Sequence, residues 1–254
     1  MSQALTRSNA VSPLRRILNQ GRYESIQMLS NGEQLILAVV MPLIALFVLT
    51  LTDLVKDVAD RSIDAAVPGV LALCVISTAF TGQGIGTGFD RRYGVLTMFS
   101  TTPLGKTGLI FGKVIAVLSV LLIQVVLICS VALLFLDWHP NPWGILPGIL
   151  FLLLGAAAFT ALGLLIAGTV RPEATLAITN LAWILLAGAG GVLYPLSMAP
   201  DWAQPTLNAL PSAALGDAMR DALIHGQFSI AGLIFLILWA AAGSFAAIKL
   251  FKWS

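Results

Sequence analysis

The chain has 254 residues, of which 58% are hydrophobic and only 10% charged, with a formal net charge of +2. Soluble domains carry roughly 25% charged residues, and a chain this apolar cannot cover its own surface with polar groups. A soluble globular protein and a disordered chain are therefore excluded, and so small a net charge excludes binding along a nucleic-acid backbone. The composition fits an all-α membrane protein with several spans.

In chain order, residues 1–32 come first, as a cytoplasmic N-terminus. They hold Arg7, Arg15, Arg16 and Arg22 but no apolar core of the length a secretory signal needs. Within them, residues 13–29 place Leu14, Ile17, Leu18, Gly21, Met28 and Leu29 in an arc of about 120° on a helical wheel, while Tyr23 and Ile26 break the pattern. Pro13 suits the first turn. This pattern predicts an amphipathic helix lying in the membrane interface, its arginines toward anionic lipid headgroups. The bland reading is a soluble helix packed on a partner.

Residues 33–254 then offer six uncharged apolar stretches, each long enough to cross roughly 30 Å of hydrocarbon. They run from Leu35 to Thr52, between Asp64 and Asp90, between Lys113 and Asp137, from about Trp143 to Val170, between Glu173 and Asp201, and between His225 and Lys249. No barrel-like alternation is present, so helices are expected. With both termini cytoplasmic, 11 of the 14 Lys and Arg residues fall on the cytoplasmic side and only Lys56, Arg61 and Arg220 outside, as the positive-inside rule requires.

The connections differ in character. The loop 88–106 between the second and third spans crowds Asp90, Arg91 and Arg92 ahead of Gly94, Leu96, Met98 and Phe99, and Thr102-Pro103 closes it. A short helix with a charged start and exposed apolar side chains suits docking onto a soluble partner; a plain connector would not need Leu96, Met98 and Phe99. Residues 195–227 carry Pro195, Pro200, Pro205 and Pro211, with Trp202, Asp217 and Arg220. This pattern predicts short broken helices on the external side, dipping toward the bilayer where protein or water satisfies the backbone. Trp138, Trp143 and Trp202 fall at an expected external aromatic belt. The acidic loop from Asp53 to Asp64 reads as a solvated turn.

Several motifs fail on inspection. The run Gly82-Gln-Gly-Ile-Gly-Thr-Gly88 has Thr87 where a dinucleotide fingerprint needs glycine, and Gly105-Lys-Thr107 has Ser100 where a phosphate-binding loop needs one. Gly84 with Gly88, Gly108 with Gly112 and Gly163 with Ala167 read instead as small-residue helix packing. Cys74 and Cys129 read as apolar fillers, and His139 and His225 are too far apart in sequence for a metal-ligand cluster. No charge falls within the six stretches as drawn, which argues against an ion-coupled carrier. Their strongly polar amides, Gln83, Gln124 and Asn180, are candidates for lining a pathway, or else for helix-to-helix hydrogen bonds.

Three segments carry a resemblance. Phe89-Asp-Arg-Arg-Tyr-Gly-Val-Leu-Thr-Met-Phe-Ser-Thr-Thr-Pro-Leu104 with Gly112-Lys113, Gly191-Val-Leu-Tyr-Pro-Leu-Ser-Met-Ala-Pro-Asp-Trp202, and Leu207-Asn-Ala-Leu-Pro-Ser-Ala-Ala-Leu-Gly-Asp-Ala-Met-Arg220 follow one another in order along the chain. Together they resemble the type-2 ATP-binding cassette (ABC) exporter permeases of bacteria. Asp90, Val95 and Thr97 stand where that family often has Glu, Thr and Glu, and Ala209 interrupts its Asn-Pro pair. The resemblance implies six transmembrane helices and a non-enzymatic transport subunit in the bacterial plasma membrane. It implies pairing with a second permease, identical or homologous, and with two cytoplasmic ATPase subunits that hold ATP and Mg; no cofactor is expected on this chain. On this view Asp90, Arg91, Arg92, Gly94, Leu96, Met98, Phe99, Thr102 and Pro103 couple the chain to the ATPase. Pro195, Pro200, Trp202, Pro211, Asp217 and Arg220 form the external gate, and an apolar or amphipathic drug, lipid or glycolipid is moved outward. The alternative is a secondary carrier or channel without an ATPase.

Overall fold

The computed structural model describes residues 12–30, 32–52, 55, 58–188, 190–193 and 200–250, and these are helical with no strand. Helix α1 spans Pro13–Ser30 and α2 spans Gly32–Leu51. A continuous helical stretch from Ser62 to Arg92 follows. It consists of α3 (Ser62–Val75), a π-helical segment (Ile76–Gly82) and α4 (Gln83–Arg92). Short α5 (Val95–Ser100) leads to α6 (Gly105–Phe135), then α7 (Ile145–Thr169) and α8 (Pro172–Gly188). Helices α9 (Gln204–Asn208), α10 (Pro211–Leu223) and α11 (Ile230–Leu250) complete the order.

Among the described residues, four helical stretches are long and apolar enough to cross a membrane: Ser62–Arg92, Thr107–Phe135, Pro142–Thr169 and Ile230–Leu250. They coincide with the second, third, fourth and sixth expected spans. The first expected span forms α2, whose apolar helical part is Ala38–Leu51. The fifth forms α8, whose 17 residues rise only about 25 Å at 1.5 Å per residue, short of the hydrocarbon thickness.

The second stretch is the hub. In its most apolar window 89% of residues are buried by the rest of the chain, against 22% in Ile230–Leu250. Small residues make that possible. A Cβ added to Gly163 of α7 would stand 2.6 Å from the Phe80 carbonyl oxygen of the π segment, so the two backbones approach as only glycine permits. Gly84 and Gly88 lie under Thr179 and Thr175 of α8 in the same way. The glycines Gly84, Gly88 and Gly163 are thus packing seams between α4, the π segment, α7 and α8, whereas Gly108 and Gly112 of α6 face Leu104 and α1.

Helix α1 packs on the chain through only part of its expected apolar face. Its buried residues are Gly21, Glu24 and Ser25, and it packs along α6, where Gly21 meets Ile115 and Gly112 meets Gln20. Leu14 and Leu18, expected on the apolar face, are exposed. The α6 contact takes Gly21 of the arc together with Glu24 and Ser25, leaving Ile17, Met28 and Leu29 half-buried.

In the expected broken segment 195–227 the described residues form two short helices, α9 and the embedded α10. Helix α10 packs against α3, α7 and α11 with Pro211 at its first turn and nearly every residue buried. Its 13 residues are too few to cross a bilayer. Of the three expected belt tryptophans, Trp143 and Trp202 are exposed but Trp138 is buried. Cys74 is buried and neither cysteine forms a disulfide.

Candidate functional site

The 88–106 loop is built as two short helices around a required glycine. Gly94 has φ +73°, a left-handed conformation that costs side-chain-bearing residues roughly 1 kcal/mol, and it separates α4 from α5. The side chains expected to face a partner divide here into two groups. Leu96 is fully buried against Leu109, with Phe99 and Leu104 packed on the pair; it anchors α5 to α6 and offers no docking surface. Arg91 donates to the carbonyls of Ala167 at 3.2 Å and Val170 at 2.7 Å, satisfying the last turn of α7. Thr102 donates its hydroxyl to Phe99 O at 2.7 Å. Arg92, Thr102 and Pro103 are exposed, and Met98 is 64% exposed.

Asp90 is turned inward. Its Oδ2 lies 3.1 Å from Lys113 Nζ, and the same ammonium lies 3.1 Å from Glu24 Oε2. The Lys113 side chain is 2% exposed, Glu24 7% and Asp90 17%. Gln20 donates to the other Glu24 oxygen at 3.0 Å. Three charges from α1, α4 and α6 are thus withdrawn together from solvent. Isolated, each would cost several kcal/mol, but paired and hydrogen-bonded they hold the three helices in register. Lys113 lies within the helical stretch Thr107–Phe135, at the border of the uncharged span expected between Lys113 and Asp137. The helix extends past the apolar run on which that expectation was drawn. The signal available was Lys113 itself, two turns inside a helix that begins at Gly105; its acidic partners are remote in sequence.

Above this triad a cavity of about 900 Å³ opens between α1, α2, the π segment, α4 and α8. Gln83 and Asn180, both pathway candidates, line it. Gln83 is buried with its amide 3.1 Å from Met28 Sδ, whereas Asn180 is exposed. Gln124 is not on the wall. It accepts from Thr78 Oγ1 at 2.9 Å and donates to Ala38 O, so it fastens α6 to the π segment and α2. Trp183 donates to Ser77 Oγ at 3.0 Å. The π turn therefore presents Ser77, Thr78 and Thr81 toward the cavity, consistent with the frequent use of such turns at functional sites.

The expected gate residues do not form one cluster. Arg220 is buried and donates to Gly191 O at 2.6 Å, Val192 O at 3.0 Å and Asp217 Oδ1 at 2.6 Å. It satisfies the irregular backbone that follows α8. Pro211 begins α10, while Pro200 and Trp202 are exposed. Pro195 lies outside the described residues.

Residues 20–224 match the family model of the ABC-2 type transporter. The chain belongs to the ABC-2 type transporter family. That membership makes it a membrane transport protein, as the resemblance of its three motifs implies, and the ABC-2 match encloses the loop, the triad, the cavity and α10. Two proteins similar to it are ABC transporter G family member 20 of Dictyostelium discoideum, 27% identical over 194 residues, and YvfS of Bacillus subtilis (strain 168), named as a transport permease, 28% identical over 167 residues. The alignments cover 72% and 65% of this chain and 24% and 67% of those proteins, so the chain spans about a quarter of the length of the first.

Proposed function

We propose that this chain is the permease subunit of an ATP-driven ABC exporter that moves an apolar or amphipathic molecule across a bacterial plasma membrane. In this reading α2 and α8 complete a six-span plan with both termini cytoplasmic. ATP and Mg are held by two ATPase subunits on separate chains, and a second permease, identical or homologous, completes the path. The exposed Arg15 and Arg22 of α1 meet anionic lipid headgroups. Residues 195–227 act as the external gate.

The observation that carries the reading is the junction of cavity and loop. The cavity wall runs past Asp90 to Tyr93 and Val95, and the outward surface of the same loop offers Arg92, Met98, Thr102 and Pro103. A partner pressing on that surface acts directly on the wall through α4. Asp90, Arg91 and Leu96 transmit the movement inward, while Phe99 and Gly94 shape the loop.

The test is purification of the chain from its native membrane in mild detergent, with assay of the eluate for ATPase subunits and activity. Stoichiometric ATPase is expected, and a second permease in the eluate would decide homodimer against heterodimer. A chain that purifies without ATPase in several detergents would overturn the reading in favour of a carrier.

A further inference from the structure

We infer that the cavity takes a lipophilic organic cation, held with its charge at Asp90 between Phe89 and Tyr93 and its apolar body against Met28, Met41 and Trp183; this rests on the transport reading above. Among the described residues, the charged ones on the wall are Glu24, Asp90 and Lys113. Two carboxylates face one ammonium, so the ionised wall carries one excess negative charge. That charge is unevenly available. Lys113 is sealed between its partners and Glu24 is closed off by Lys113 and Gln20, whereas Asp90 keeps the largest exposure of the three.

Beside Asp90 stand two aromatic rings. Phe89 and Tyr93 stack with centroids 6.3 Å apart and planes 14° apart; they are 43% and 73% exposed, and both line the cavity. A carboxylate that shares the cavity wall with two exposed aromatic residues attracts a diffuse cation by direct charge and by the ring quadrupoles. It repels an anion, which would find the wall's lysine buried behind two carboxylates. Arg91 points away to the end of α7. Farther up, Met28, Met41, Pro42, Val120, Leu176 and Trp183 supply an apolar surface with the adaptable thioethers found at sites that accept varied shapes. The site thus has a cationic end and an apolar end, about the dimensions of an amphipathic small molecule.

The experiment uses two ions of matched shape and opposite charge. The full chain in phosphatidylcholine nanodiscs is dialysed against tritiated tetraphenylphosphonium, with empty nanodiscs subtracted, and tetraphenylborate is measured in parallel. Saturable excess binding of the cation, at least tenfold tighter than any excess binding of the anion, is expected. Tyr93→Ala should weaken cation binding by about three- to thirtyfold. Since Tyr93 is largely exposed, this variant keeps the fold. Equal or tighter saturable binding of tetraphenylborate, or Tyr93→Ala and Phe89→Ala both binding the cation as the unaltered chain does, would overturn the proposal. Because no ATPase is present in this assay, failure of the cation site leaves the ATPase co-purification result standing, and the converse also holds.

Discussion

Lys113 Nζ and Asp90 Oδ2 stand 3.1 Å apart at the base of the cavity, where the helix leading into the loop meets the flank of α6. With Glu24 on the other side of the ammonium, removal of the lysine leaves two unpaired carboxylates in a closed site. Lys113→Met is expected to destabilise the chain by about 3–5 kcal/mol, read as a large fall in the midpoint of thermal unfolding in detergent. Combining it with Glu24→Gln and Asp90→Asn should restore most of the loss, because no uncompensated charge remains. A triple variant as unstable as Lys113→Met alone would show that the triad is not the cause.

The loop surface predicts a separation of binding from folding. Arg92→Glu with Met98→Glu changes two outward side chains and should lower ATPase co-purification at least tenfold while leaving the unfolding midpoint unchanged. Arg91→Glu should instead lower the midpoint, since it strips the carbonyls of Ala167 and Val170 of their donor. Co-purification unaffected by the Arg92/Met98 pair would remove this surface from the coupling site.

Gly163 predicts a backbone clash. Gly163→Val places side-chain atoms against the Phe80 carbonyl, and overpacking of this kind costs about 1–3 kcal/mol. Since the clash falls on the π segment, cation binding in the cavity should fall with it. Gly163→Val with unaltered stability would mean that α7 and the hub helix separate more readily than their geometry indicates.

Arg220→Met removes the donor shared by Gly191, Val192 and Asp217. Loss of charge-assisted hydrogen bonds to buried carbonyls costs about 1.5–3 kcal/mol. Faster proteolysis near residues 190–193 in the variant would locate the effect; uniform protease sensitivity along the chain would argue against local release.

The helical class and the positions of the long spans were legible because hydropathy over about 20 residues is set by the bilayer itself. The glycine seams were also legible, since Gly84, Gly88 and Gly163 stand at regular helical spacing. The triad was not. Lys113 sits at the margin of an apolar run, where a lysine ordinarily reaches for the interface, and nothing local reveals that Glu24 and Asp90 converge on it. Leu96 misled in the opposite direction: a leucine in a polar loop looks available for docking until the fold lays Leu109 over it. Arg220 was singled out, but its partners are backbone oxygens, which no side-chain pattern records.

Asp90 and Arg91 are neighbours that grip opposite sides. One reaches α1 and α6 through Lys113, the other the end of α7, while the glycines of α4 seat α8. Five helices are thereby bolted into a single plate at the end that carries the loop. Helix α2 stands outside it, fastened chiefly to α3 and by the Gln124 amide on Ala38. On the proposed reading, a push on the loop would tilt the plate as one body against α2 and widen the cavity that lies between them.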